Sequence, residues 1–248
     1  MYPQFKDKHV HEALFHPKDY LKYRKFKKKF PKKCVITYQS SVLRYFKRKY
    51  KGKYESLRLH HNVTVHKIKG QNLGFLKLNG IGAPNAVTYF EELIALGIKE
   101  FINIGTAGGL QHEGIFLCTK ALRDEGTSHH YLPHGKYTFP DKKLTLKFKK
   151  QLINAGLNPE ESTTWTIDAP YRETKAEVEH YRKKGVATVE MEASALFAVA
   201  RYRKVKIASA FVVSDMLGKN WEPKFYHLSL KKTLNKVLDS AIGCLKGK

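Results

Sequence analysis

Three short segments carry residue types that could do chemistry on a small polar ligand. GTAGGL, at 105–110, follows the apolar run Phe101–Ile104. Repeated glycine lets a backbone approach an anion closely, and Thr106 adds a hydroxyl donor. No Gly-Lys-Ser/Thr follows, which argues against a P-loop for a nucleoside triphosphate. A tight corner after a strand has the same composition. VEMEASALFAVA, at 189–200, puts Glu190 and Glu192 at the head of a predicted helix. The helix dipole favours carboxylates there. A Glu192 turned into a cleft would instead accept two hydrogen bonds from vicinal sugar hydroxyls. ASAFVVSDML, from 208, is an apolar strand ending in Ser214-Asp215. Either residue can cap a helix. With a raised pKa, Asp215 can also act as a general acid near neutral pH.

To act together these segments need strands that end side by side. His61–Lys69 and Asn72–Leu78 read as extended runs joined by Gly70-Gln71, a hairpin. Pro84 opens a helix with an apolar stripe of Val87, Phe90, Leu93, Ile94 and Leu96, closed by Gly97. Ile115–Leu122, Thr163–Ile167 and Val205–Val213 read as strands. Leu144–Ala155, Thr174–Lys184, Met191–Tyr202 and Leu228–Leu245 read as helices. The alternation predicts an α/β domain whose mainly parallel or mixed sheet carries helices on both faces. In such sheets ligands bind outside the carboxyl ends of the strands.

Composition agrees with one enclosed core. The 248 residues are 42% hydrophobic and 12% aromatic, which excludes a disordered chain. A chain this long buries roughly 70–75% of its unfolded surface. No window holds the ~18 apolar residues of a membrane span. Charge runs through Met1 to Tyr20, so no secretory signal is expected. Cys34, Cys118 and Cys244 are odd in number and far apart, which argues against a disulfide framework or structural zinc. They fit a reducing compartment, and a cytoplasmic location is expected. Adjacent histidines such as His60-His61 and His129-His130 lack two-ligand helical spacing, so no metal is expected.

The net charge is +24, from 46 Lys/Arg against 22 Asp/Glu, and it is uneven. Residues 1–53 hold 17 Lys/Arg and 3 Asp/Glu. Residues 1–33 read as a basic N-terminal extension ahead of an α/β domain at 34–248. Within Lys18–Lys33, Tyr20, Tyr23, Phe26 and Phe30 recur at helical spacing. They predict an amphipathic helix docked by its aromatics, with a solvated lysine face. The other reading of residues 18–53 is a nucleic-acid or membrane patch, since such a field attracts anions.

Six segments occur in one order: GIGAPNA at 80, INIGTAGGL at 102, DEGTSHHYLP at 124, TWTIDAPYRET at 164, VEMEASALFAVA at 189 and VVSDML at 212. On these the chain resembles the nucleoside phosphorylase family, of the purine nucleoside and uridine phosphorylase type, with the uridine-phosphorylase-like branch closest. The resemblance covers about residues 75 to 220. It implies a single α/β domain with a central mixed sheet that partly closes into a barrel, assembled as a dimer or hexamer. It also implies transfer of a ribosyl group from a nucleoside to inorganic phosphate as co-substrate, with no other cofactor. Uridine is favoured by DEGTSHHYLP with DAPYRET, and a purine nucleoside comes close behind.

The resemblance puts phosphate on the Gly105–Gly109 turn, with Gly105 and Thr106 as contacts, and gives Arg44 of TYQSSVLRYF the arginine place of an N-terminal phosphate loop. It gives the ribose to Met191 and Glu192, and the base to Tyr171 and Arg172. Asp215 resembles the acid that protonates a purine at N7. His130 resembles a histidine near the site, and His16 one that reaches a neighbouring subunit's 5′-hydroxyl. Two departures stand out. Gln39-Ser40-Ser41-Val42 replaces a loop with glycine and Asp-Pro, and Asn103 stands where several phosphorylases have a second phosphate-binding arginine. Losing a guanidinium removes a bidentate contact, so hydrolysis by water is an alternative outcome. A third reading is a basic nucleic-acid-binding protein on an inactive scaffold of this fold.

Overall fold

The computed structural model describes residues 3–59, 63–218 and 220–247. Its strands are β1 (Lys33–Thr37), β2 (Tyr54–Arg58), β3 (Thr64–Ile68), β4 (Leu73–Lys77), β5 (Glu100–Gly109), β6 (Ile115–Asp124), β7 (Tyr137–Thr138), β8 (Pro159–Ile167), β9 (Val186–Glu190), β10 (Lys206–Leu217) and β11 (Trp221–Pro223). Its helices are α1 (Pro17–Tyr23), α2 (Ser40–Lys49), α3 (Ala83–Ala95), α4 (Lys142–Asn154), α5 (Lys175–Lys183), α6 (Ala193–Tyr202) and α7 (Leu228–Lys246).

All strands belong to one mixed sheet. β10 pairs with β6, β6 with β8, β8 with β9, β9 with β5, and β5 again with β10. Those five strands close a ring. A wing extends from it through β1, β4, β3 and β2. The ring removes its own sheet edges, which would otherwise present unpaired backbone groups. The expected α/β domain with a partly barrel-like mixed sheet is the fold observed.

Helices cover both faces of the sheet. On one side α3 and α6 bury Phe90, Leu93, Leu196 and Phe197 with Phe101 of β5. On the other, α2, α4 and α7 bury Phe46, Phe148, Leu234 and Leu238 with Ile102 and Ile104. Alternate residues of β5 therefore feed opposite cores, as the two-residue period of a strand requires. Trp165, Leu122, Ile167 and Val178 form a smaller cluster beside them.

The glycine segment is not a turn. Gly105–Gly109 continues β5 as strand, in parallel register with Phe211–Met216 of β10. The reason is steric. A Cβ at Gly108 would meet Leu217 and Val189, and one at Gly109 would stand 2.6 Å from Met216 Sδ. These glycines let the two strands approach and close the ring. Asp215 likewise lies inside β10, beside a bulge between Val213 and Asp215, and caps no helix. Glu190 ends β9, a strand the sequence pattern did not single out.

The paired runs at 64–68 and 73–77 form the expected antiparallel hairpin. The rest of its predicted first run, His61 and Asn62, and the pair His60-His61 lie outside the described residues. The predicted aromatic stripe is not one helical face. α1 stops at Tyr23, and Lys25 adopts φ 52°. Of the four aromatics only Phe30 is buried, Phe26 packs partly buried against the same core, and Tyr23 is exposed. Eight lysines and arginines from Lys22 to Lys33 repel one another along a continued helix, and Pro31 removes an N–H.

A Cβ at Gly105 would make only ordinary contact with Tyr38 and Phe211. Gly108→Ala should therefore lower Tm by roughly 5 °C, through overpacking, while Gly105→Ala should leave it nearly unchanged. Thermal melts of the two variants read this directly. Equal Tm values would contradict the ring-closing role of Gly108.

Candidate active site

A cavity of about 800 Å³ opens where the glycine half of β5, the ends of β9 and β10, and the head of α6 meet. Thr106, Met191, Glu192, Asp215 and Tyr171 all line it. Three distant segments of sequence thus converge on one volume.

Glu190 and Glu192 divide two tasks. The Glu190 carboxylate accepts the Glu192 N–H at 2.9 Å and the Ala193 N–H at 2.7 Å on one oxygen. Its other oxygen accepts the Thr166 hydroxyl at 2.6 Å. Glu190 therefore terminates α6, satisfying amides that the helix leaves without partners. Glu192 is released from that task. Its Oε1 crosses to accept the N–H of Gly82 at 2.6 Å, ahead of α3. Gly82 has φ 94°, a backbone that glycine adopts without a Cβ penalty. Burial raises the pKa of both carboxyls, and the charge of Glu190 raises that of Glu192 further.

Thr106 accepts a hydrogen bond at 3.2 Å from the amide of Gln39, whose own oxygen accepts from the Thr37 hydroxyl at 2.8 Å. That orientation leaves the Thr106 O–H to donate into the cavity. Asp215 is nearly buried, and both its oxygens accept hydrogen bonds. Ser214 Oγ donates at 2.8 Å and Trp221 Nε1 at 2.8 Å. β11 exists as an antiparallel return onto β10, which brings Trp221 to this carboxylate. Tyr38 lines the cavity with a buried hydroxyl that has no partner among the described residues. Burial and the charges of Glu192 and Glu190 raise its pKa. Exposed Ile81, Tyr171, Trp221 and Phe225 complete an apolar lip.

Other anticipated residues lie elsewhere. Gly105 precedes Thr106 in β5 and faces the ring of Tyr38. Arg44 is exposed on α2 and does not line the cavity, and neither does Arg172. TYQSSVLRYF is therefore not a loop around Arg44, because α2 begins at Ser40. His130 lines a separate cavity of about 1000 Å³ beneath the N-terminal segment, with Lys8 Nζ 3.0 Å from its Nδ1. His16 caps α1, its N–H donating to Asp19 at 2.8 Å, and lines neither cavity. Asn103 is fully buried and its amide donates weakly, at 3.4 Å, to Ser209.

The lining is one-signed. It contains four carboxylates, Glu173, Glu190, Glu192 and Asp215, and no lysine, arginine or histidine among the described residues. In a chain of net charge +24 this segregation comes from folding, not from composition. Sequence reasoning missed Tyr38, Glu173, Trp221 and Phe225 as lining residues. The rarity of tryptophan, two in the chain, was the one available signal for Trp221.

A five-strand ring within an α/β sheet, with a polar cavity at its strand ends, defines a nucleoside phosphorylase-like protein. Residues 38–246 match the phosphorylase superfamily, and the chain belongs to that family of pentosyl-transferring enzymes. The match reaches beyond the six motifs in both directions and includes α7. Among relatives, the uncharacterised protein R802 of Acanthamoeba polyphaga mimivirus is 35% identical over 149 residues, 56% of this chain and 57% of that one. The purine nucleoside phosphorylase of Plasmodium falciparum is 29% identical over 207 residues, 79% of this chain and 80% of that one. The uridine phosphorylase of Treponema pallidum is 30% identical over 149 residues, 54% and 58% of the two chains. The chain thus spans between 57% and 80% of these relatives' lengths. The crystal structure of purine nucleoside phosphorylase from Toxoplasma gondii with immucillin-H superposes with a TM-score of 0.76 and 17% identity, over 95% of this chain and 97% of that one.

The pKa of Glu192 sets a test on stability. The unfolded chain ionises this carboxyl near pH 4.5, while the fold holds its proton to higher pH. The wild type should therefore lose stability as pH rises above 4.5, until the folded carboxyl ionises too. Glu192→Gln keeps an acceptor for Gly82 and cannot ionise. Its Tm should match the wild type near pH 4.5 and exceed it at pH 8. A pH-independent gap would contradict a proton held by Glu192.

Proposed function

We propose that this cavity cleaves the N-glycosidic bond of a purine nucleoside and transfers the ribosyl group to inorganic phosphate. The observation that carries this reading is the convergence of Thr106, Met191, Glu192 and Asp215 on one volume. Cleavage of the C–N bond builds positive charge on the sugar and negative charge on the base. A productive site holds an acceptor beneath the sugar, grips its hydroxyls and stabilises the departing base. In this reading Glu192 accepts the 2′- and 3′-hydroxyls, with Met191 against the sugar face. The Thr106 O–H donates to the acceptor anion. Asp215, braced by Ser214 and Trp221, serves the base at N7. Its pairing with the base is worth about 10²–10⁴ in rate if it transfers a proton.

A purine is preferred to uridine for two reasons. The resemblance of DEGTSHHYLP with DAPYRET favours uridine, but Arg172 of that segment, the group suited to a pyrimidine's oxygens, does not line the cavity. Asp215 does, and protonation at N7 has no counterpart in a pyrimidine. A second reading, with water as acceptor, is favoured by the absence of any cation among the described lining residues. An acidic lining, negative wherever its carboxyls ionise, repels a phosphate dianion, and Asn103 supplies no charge against it.

Incubation with inosine, adenosine and uridine, each with and without phosphate, separates these readings. Free base together with ribose-1-phosphate, formed only when phosphate is present, is the expected result. Base release that ignores phosphate would transfer the conclusion to hydrolysis. Silence with every nucleoside would remove both. Asp215→Ala should cost inosine cleavage about 10²-fold or more in kcat/KM and cost uridine far less. Equal losses would make Asp215 a structural residue.

A further inference from the structure

This inference rests on the reading that the base lies beside Asp215. Glu173 lines the same cavity from a different element. It follows the short turn Pro170–Arg172 and precedes Thr174, the cap of α5. Its neighbours are committed to one another. The Thr174 N–H and hydroxyl donate to Glu177 Oε2 at 3.1 and 2.6 Å, and the Glu177 N–H donates back to Thr174 Oγ1 at 3.3 Å. Glu173 has no such bond from its side chain among the described residues. It is a half-buried carboxyl, facing a ligand-sized volume, with no hydrogen-bond or ion-pair partner among the described residues.

We propose that Glu173 reads the hydrogen-bonding edge of the base. A neutral carboxyl offers one donor and one acceptor on adjacent oxygens. That pair matches N1–H and O6 of a 6-oxopurine, or N1 and the amino group of a 6-aminopurine, in a two-point contact. An ionised carboxylate offers only acceptors and keeps half of that pairing. The charged groups around Glu173 are Asp215 of β10 and Glu177 of α5, with Glu190 and Glu192 at the end of β9 and the head of α6 across the cavity. No cation lines the cavity to oppose them among the described residues. Burial first, then the charges of Asp215 and Glu177, push the Glu173 carboxyl up to about 7. The two-point contact is thus complete in mildly acidic solution and lost as the solution becomes alkaline.

The test is calorimetric binding of free hypoxanthine, which carries no ribose for Glu192 to hold, at pH 6, 7 and 8. Wild-type affinity should fall about tenfold from pH 6 to pH 8, following the fraction of neutral Glu173. Glu173→Gln keeps a donor and an acceptor at every pH. It should bind within a few-fold of the wild type at pH 6 and lose the fall. Glu173→Ala should bind at least tenfold more weakly at pH 6 and show no fall. 1-Methylhypoxanthine, which lacks the N1–H, should bind wild type and Glu173→Ala alike. A Glu173→Gln profile that falls like the wild type would overturn the inference, as would full affinity in Glu173→Ala at pH 6. Inosine cleavage with no effect of either variant would overturn this inference alone. Failure of the wild type both to bind hypoxanthine and to cleave inosine would overturn the underlying reading as well.

Discussion

The site depends on one capping interaction. Glu190 places its carboxylate on the first amides of α6 and on the Thr166 hydroxyl. A buried carboxylate is costly to bring out of water, and charge-assisted hydrogen bonds at a helix head offset that cost. Once Glu190 occupies the positive end of the helix, Glu192 has no capping task and turns to Gly82 and the cavity. Two glutamates two residues apart therefore have opposite uses. One carboxyl holds the helix head and the other bridges to the turn ahead of α3.

Ring closure is the second constraint, and it works through absence of side chains. Gly108 and Gly109 bring β5 against β10 closely enough for Thr106 and Asp215 to face one volume. The bulge beside Asp215 re-aims that residue within the strand, a common use of bulges next to sites. β11 then returns along β10 and delivers Trp221 to the Asp215 carboxylate. Each of these is a backbone event that sets the direction of a side chain.

Charge is distributed by the same folding. The surplus of lysine and arginine remains outside, on α2 and along the N-terminal segment, while the charged groups among the cavity's described lining residues are all carboxyls. A positive exterior draws anions towards the molecule. The interior then favours a ligand that offers hydroxyls and N–H donors over one that brings more negative charge. Burial raises the pKa values of Glu173, Glu190 and Glu192, and neighbouring carboxylates add to the shift at Glu173 and Glu192.

Periodicity, caps and motif order made the α/β class legible, together with most helices and the three segments that meet at the site. Such features are local: a stripe of Val87, Phe90, Leu93 and Ile94, or a capping Thr174, reads the same with or without its neighbours. The sequence also named Thr106, Met191, Glu192, Asp215 and Tyr171, which line one cavity. What only the tertiary structure decided was non-local. GTAGG looks like a corner until β10 lies beside it, because strand pairing is written in two segments at once. Arg44 and Arg172 have the right chemistry, but their elements turn them away from the cavity. Glu173, Tyr38 and Trp221 have no distinguishing spacing, and they reach the site only because the ring brings remote strand ends together. Residue type and local pattern determine which groups are available. Sheet closure determines which of them share a solvent-shielded volume, and that depends on contacts between residues far apart in the chain.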